Sequence, residues 1–556
     1  RGDPKQQLDR RGDPKQQRDH GGNAPQKGKQ QPPPRPNLTK GKGAKLAEAE
    51  CVQVNTGNAP STTAFTDMGL SQPSMRAIRE VMGFTHATAV QDGTLPHIMK
   101  GLDVLGRAKT GSGKTVAFLL PAIENLFRRG AQRHGQVSCL VVSPTRELAS
   151  QIGEEARSLL KFHNLGVQVV FGGTNIKSER SRLQRERLDF LVATPGRLID
   201  HFESSNMAER CSNLDVLVLD EADQLLEMGF RPSIEKILSY IPVDRQTLLF
   251  SATVPKAVRQ IAANSLKPDH VFIDCVGDDA PGTNIQVDQK LCIAPFADHL
   301  TMMTQAIEAH QAVEPSHKIM CFFPTARATQ LASELFVALD KPVYEIHSRK
   351  SQSHRTKAAD KFRDSKCAVM MSSDVTARGM DFPDVTMVLQ VGLPSSREQY
   401  IHRLGRTGRC GKKGEGLLML DPSEQFFLRS AQDLPIEHVA IPIMPKTSAR
   451  VANAMDRVSP QTKDQAYVAW MGFYNSSTSK MRWSKDDLVQ NANAYALNVL
   501  RCRELPGVLK KTIGMMGLKG VQGLNIVSHL PGKEFGGGGR GGGGGGRGGG
   551  GGGRGG

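Results

Sequence analysis

The chain has 556 residues, more than one ordinary domain holds and suited to two or three. Its nine cysteines run from Cys51 to Cys502 without a Cys-x-x-Cys pair, which argues against a disulfide-stapled scaffold or a zinc ribbon; no apolar run reaches the length of a membrane span. The formal net charge of +17 concentrates polyanions at the surface, so an acidic partner is expected, nucleic acid first.

Residues 1–63 open with RGDPKQQ at Arg1, repeated at Arg11, and continue rich in Gly, Pro, Gln and Lys. So few apolar side chains cannot build a core, and a disordered basic region is predicted. Asp3, Asp9, Asp13 and Asp19 argue against an acid-poor transit peptide. Two stretches, 64–278 and 284–439, then read as strand–helix repeats. Short apolar runs at Cys139–Val142, Val167–Phe171, Phe190–Ala193, Val216–Leu219 and Leu248–Phe250 lie in the first. Those at Ile319–Phe323, Val343–Ile346, Val369–Met371 and Met387–Val391 lie in the second. Such alternation predicts parallel sheets covered by helices, an α/β fold of two tandem domains. The DDAPGT stretch at Asp278–Thr283 supplies the linker, 279–283.

Residues 440–534 have another texture. Gln465–Tyr474 and Leu488–Leu500 carry apolar residues at helical spacing, and Lys480, Arg482, Lys485, Arg501, Arg503, Lys510, Lys511 and Lys519 make the segment basic. A helical basic extension is predicted. In residues 535–556, Gly runs are broken by Arg540, Arg547 and Arg554. This is a disordered tail whose guanidiniums suit phosphates and base faces.

The chemistry-bearing residues begin at AKTGSGKT, Ala108–Thr115, just after the strand-like Asp103–Gly106. The pattern is a phosphate loop with Ala108 in place of the usual first Gly. Thr110, Gly111, Ser112 and Gly113 offer backbone N–H groups to phosphate oxygens, and a helix starting near Lys114 points its positive end the same way. Lys114 then meets the β/γ-phosphates and Thr115 binds Mg²⁺. Asp220-Glu221-Ala222-Asp223 follows the apolar run Val216–Leu219. Asp220 at a strand end is placed to hold Mg²⁺, and Glu221 to deprotonate an attacking water. In HRLGRTGR, His402–Arg409, Arg406 and Arg409 stand three apart on one helical face. They suit arginine fingers reaching the γ-phosphate from the second domain.

Taken in order, these motifs resemble a DEAD-box ATP-dependent RNA helicase over about residues 65–424. Phe65 and Gln91 match the adenine-reading Q motif; Pro144–Leu148 (PTREL), Gly172-Gly173, Thr194–Arg197 (TPGR), Asp220–Asp223 (DEAD) and Ser251–Thr253 (SAT) follow. Phe322, Ser372–Asp381 and His402–Arg409 complete the series. The resemblance implies two RecA-like domains, ATP and Mg²⁺ as cofactors, and RNA held mainly by its backbone. It implies that Gln91 hydrogen-bonds adenine, that Phe65 stacks on it, and that Gly379 and Asp381 meet the nucleotide across the cleft. Arg146, Gly173, Thr194 and Arg197 would line the RNA path on the first domain, and Phe322, Arg355, Thr376 and Arg378 on the second. Ser251, Thr253, Asp223 and His402 would couple hydrolysis to RNA. Ala87 stands where the Q motif has Pro, and Ser348 where a Gly follows His347; neither removes a catalytic group. The extension is similar to the branch containing a yeast mitochondrial splicing chaperone and plant relatives. That similarity implies a monomeric RNA chaperone of the mitochondrion, with the nucleus as the alternative. Three rival readings remain: a non-catalytic ATP-gated RNA clamp, a DNA helicase of the same superfamily, and an RNA-annealing protein worked by its tails; the DEAD tetrad and Gln91 favour RNA over DNA. Intact Glu221, Arg406 and Arg409 favour the enzyme.

Overall fold

The computed structural model describes residues 52–55, 61–109, 111–130, 135–276, 287–376, 380, 382–408 and 412–529. Two parallel sheets organise them. The first contains β1 (Val52–Asn55), β2 (Val104–Arg107), β3 (Cys139–Val142), β4 (Val167–Val170), β5 (Phe190–Ala193), β6 (Val216–Leu219), β7 (Gln246–Ser251) and β8 (Val271–Asp274), in the order β1-β8-β2-β7-β6-β3-β5-β4. The second contains β9 (Val287–Ile293), β10 (Lys318–Phe322), β11 (Tyr344–Ile346), β12 (Ala368–Ser372), β13 (Met387–Val391), β14 (Gly414–Leu420) and β15 (Ile436–His438), ordered β11-β12-β10-β13-β14-β9-β15.

The apolar runs form strands because both faces of each sheet are covered, so alternate side chains enter different cores. Cys139 and Val141 of β3 join one buried cluster, while Leu140 and Val142 join the cluster on the opposite face. Val369 and Met371 of β12 divide from Ala368 and Met370 in the same way. Pairing of β1 with β8, Val52 against Val271, corrects the expectation that all of 1–63 is without structure. Its four residues, VQVN, are too short to read as a strand until β8 is there to receive them. Residues 1–51, the linker 279–283 and the Arg–Gly tail lie outside the described residues.

The extension has no core of its own. Its helices Pro445–Arg457, Pro460–Asn475 and Lys485–Ala494 send Val451, Met455, Trp470, Met471 and Leu488 into one buried cluster with Met303, Phe323, Leu331, Phe336 and Leu389 of the second lobe. Phe296 of that lobe stands edge-on to both Trp470 and Tyr474, at 5.4 and 5.2 Å. Among the described residues no helix is long and apolar enough to cross a membrane, and no group of His, Cys, Asp and Glu has the arrangement of a metal cluster.

Candidate nucleotide cavity and nucleic-acid groove

Strands β2, β7 and β6 lie side by side, so the segments leaving their C-terminal ends converge. The phosphate loop follows β2, Ser251 ends β7, and Asp220 follows β6. Gly113 has φ +89° and is the residue before the Lys114–Arg129 helix. A Cβ there would lie 2.5 Å from Gln91 Nε2, so only glycine lets the loop close on the Q-motif side chain. Gln91 is buried; its Nε2 donates to Gly113 O at 3.1 Å and its Oε1 accepts Thr88 N–H at 2.9 Å. One amide hydrogen and one oxygen lone pair remain, the complement of an adenine edge.

Lys114 is also buried. Its Nζ donates to Ala108 O at 3.1 Å and stands 3.3 Å from Glu221 Oε1. Glu221 sits in the left-handed region, φ +49°, where a side chain with a Cβ is strained; the bend directs its carboxylate back to Lys114. Burial, with the Glu221 carboxylate beside it, pushes the Asp220 carboxyl up to about 7, against the opposing pull of Lys114. These residues line a cavity of about 490 Å³ together with Thr115, Gly111, Phe84, His86 and Gln151 of the first lobe and Met380 and Arg406 of the second. Buried Arg406 donates to Met380 O and, at 3.3 Å, to His402 O. Thr115 and Asp220 present hard oxygen donors to one space, a set that suits Mg²⁺.

Asp223, Ser251, Thr253 and His402 form one chain of contacts. Asp223 Oδ2 accepts from Thr253 Oγ1 at 2.9 Å and Thr253 N at 3.2 Å, while Asp223 N–H donates to Ser251 Oγ at 3.2 Å. His402 Nε2 of the second lobe lies 3.8 Å from the same Oδ2.

A second cavity, about 760 Å³, is lined by both lobes. Arg146, Thr194 and Arg197 line it from the first lobe; Pro324, Ser348, Arg355, Ser373, Asp374 and Ser395 line it from the second. Gly173, φ +89°, passes so close to Arg146 that a Cβ would lie 2.3 Å from its Nη1. Arg197 is tied to Glu179 Oε2 at 2.5 Å and to Thr174 O at 3.1 Å. Buried Arg355 pairs across the lobes with Glu147 Oε1 at 2.6 Å.

Three expected site residues line neither cavity and are buried. Phe65 is 1% exposed inside the first lobe's core; the ring on the nucleotide cavity is Phe84, 41% exposed. Phe322 is fully buried in the second lobe, and Pro324 two residues on reaches the groove. Thr376 is fully buried, its Oγ1 bonded to Ser372 Oγ at 2.6 Å. Of the three only Phe322 ends a strand, β10, while Phe65 and Thr376 lie on single helical turns packed onto the lobe interiors. The Gly-Phe pair Gly83-Phe84 ahead of Gln91 was the available signal for the cavity ring. Thr110, Arg378, Gly379, Asp381 and Arg409 lie outside the described residues.

Comparison with known proteins agrees with this arrangement. The family model for DEAD/DEAH box helicases matches residues 88–261, and that for the helicase conserved C-terminal domain matches residues 299–411. DEAD-box ATP-dependent RNA helicase 26 of Arabidopsis thaliana is 47% identical over 496 residues, covering 86% of this chain and 58% of that protein. The protein of the same name from Oryza sativa subsp. japonica is 47% identical over 474 residues, covering 85% of this chain and 88% of that one. Among solved structures, Mss116p bound to ssRNA and AMP-PNP superposes with a TM-score of 0.76 at 28% identity, over 84% of this chain and 97% of that one. This chain therefore belongs to the DEAD-box family of ATP-dependent RNA helicases.

Proposed function

We propose that the chain hydrolyses ATP to drive closure of its two lobes on RNA, separating short duplexes locally. The observation that carries this reading is the divided cavity: the phosphate loop, Asp220 and Glu221 come from one lobe and Arg406 from the other. Neither lobe alone surrounds a triphosphate, so ATP favours the closed state through contacts that the open state lacks. Lys114 and the loop amides hold the β- and γ-phosphates, and Arg406 meets the γ-phosphate from across the cleft. Thr115 and Asp220 hold Mg²⁺, which when bound neutralises charge on the phosphate oxygens. Glu221 takes the proton of the attacking water. Arg409 joins Arg406, and Gly379 and Asp381 face the nucleotide, as the family pattern implies.

The groove receives one RNA strand through its phosphates and 2′-OH groups, with Arg146, Arg197, Arg355 and Arg378 as the cations. Glu147 and Glu179 already engage two of these arginines, so incoming phosphates compete with carboxylates for them. A groove shaped for one strand excludes the complement, and departure of the γ-phosphate reopens the lobes. The Asp223–Thr253–His402 contacts join the two sites. A labelled 10–12 base-pair RNA duplex tests the reading, with release of one strand requiring ATP; phosphate release indifferent to added RNA would sink it. The likeness of the extension to a mitochondrial splicing-chaperone branch makes the mitochondrion the compartment to examine first by imaging, with the nucleus as the alternative.

Two further outcomes are expected. Gln91→Ala removes the adenine-facing amide and the bond to Gly113 O, so ATP use should weaken by about 10-fold and the gap to GTP should narrow. Equal turnover of ATP and GTP by the parent would remove the role given to Gln91. Deleting residues 535–556 should leave turnover at saturating RNA unchanged but raise the RNA concentration for half-maximal activity. The salt slope should flatten by about 0.7 for each single-strand phosphate that the tail no longer neutralises. Superimposable curves at two salt levels would make the tail a solubilising appendage.

A further inference from the structure

One buried carboxylate joins the extension to the groove. Tyr474, near the end of the Pro460–Asn475 helix, donates its hydroxyl to Glu424 Oε1 at 2.6 Å. The same Oε1 accepts Leu393 N–H at 3.0 Å, and Oε2 accepts Asp421 N–H at 2.8 Å. Glu424 is 0% exposed and Tyr474 is 3% exposed. Neither residue lines the nucleotide cavity or the groove.

Leu393 opens the loop after β13, and that loop leads straight to the groove. Ser395 lines the groove, and Ser396 Oγ accepts Gln399 N–H at 3.1 Å to start the Arg397–Leu404 helix. Gln399 also lines the groove and donates to Asp374 Oδ1 at 2.6 Å, beside Ser373. The loop is therefore gripped behind by Glu424 and presents its front to the strand path. Burying a carboxylate is costly, and an apolar contact would serve stability at least as well. The cost is visible in Glu424 itself, whose carboxyl burial pushes up to about 7 despite three donors. Three donors converging on one carboxylate fix distances and angles that apolar packing leaves adjustable.

We propose that Glu424, held by Tyr474 of the extension, is a positioning residue that sets the 393–396 loop for RNA entering the inter-lobe groove. The proposal rests on reading that groove as the RNA path. It gives the extension a way to tune RNA binding from within the core, separate from the basic side chains on its surface.

The test uses the full chain, a single-stranded oligouridylate, and ATP hydrolysis measured against RNA concentration. Tyr474→Phe deletes one hydroxyl and keeps the ring. It should raise the RNA concentration for half-maximal activity about 3–10-fold, the range of one missing buried hydrogen bond, with kcat within about twofold. Glu424→Gln keeps an acceptor oxygen and should lose less than Glu424→Ala. The double variant Tyr474→Phe/Glu424→Ala should lose no more than Glu424→Ala alone, because both changes break the same link. Arg355→Ala reports on the groove itself. If Arg355→Ala weakens RNA use and Tyr474→Phe matches the parent, the relay is wrong and the groove reading survives. If Arg355→Ala also matches the parent, the groove reading falls and takes the proposal with it. A fall in kcat at unchanged RNA dependence would likewise overturn it, because the loop would then act on the chemical step.

Discussion

Lys114→Ala is expected to reduce RNA-stimulated ATP hydrolysis by about 10²–10³-fold or more, the usual loss when a preorganised charge-stabilising donor is removed. The cation is buried among Ala108 O, Glu221 and the cavity wall, where no solvent cation replaces it in the same geometry. Without it, the neighbouring carboxylates Asp220 and Glu221 face each other in a buried site, and their mutual repulsion adds to the loss. Nucleotide binding should weaken as well, since the β/γ-phosphates lose their counter-charge. Phosphate release at saturating RNA decides the matter: a variant keeping a tenth of parent turnover would remove Lys114 from the role assigned to it.

Glu221→Gln should behave differently. The amide oxygen still accepts from Lys114, so the phosphate loop keeps its geometry and ATP affinity should stay within a few-fold of the parent. Turnover should fall by about 10²–10⁴-fold, because the water loses its base. With ATP bound and hydrolysis blocked, the closed RNA complex should outlive that of the parent. The decisive measurement is the dissociation rate of labelled single-stranded RNA in excess ATP. Release as fast as from the parent would contradict the assignment of the base.

How far the sequence carried this picture depends on what kind of information each element needed. Strands β3, β5, β6 and β13 were legible residue for residue, because central parallel strands are apolar on both faces and end abruptly at turns. Lys114, Asp220, Glu221 and Arg406 were legible as a set, since each stands at a strand end or helix terminus whose position the motif itself fixes. Burial was not legible. Phe65, Phe322 and Thr376 belong to motifs that adjoin the sites, and only the packed lobes show that their side chains turn inward. Contacts between distant segments were equally hidden. Nothing in PTREL announces that Glu147 will meet Arg355, 208 residues away by their numbers, under the groove. The strand Val52–Asn55 needed its partner β8 to be recognisable at all.

The shared core of the second lobe and the extension has a consequence for inheritance. A segment that can be gained, dropped or traded between genes needs a seam where little packing is disturbed, and residue 440 offers none. Trp470, Met471 and Leu488 fill space that Phe323, Leu331 and Leu389 would otherwise expose to water. The practical unit of exchange is thus the second lobe and the extension together, beginning at β9. A hybrid protein cut there carries its own interior with it, whereas one cut at residue 440 must find a new lining for an old wall.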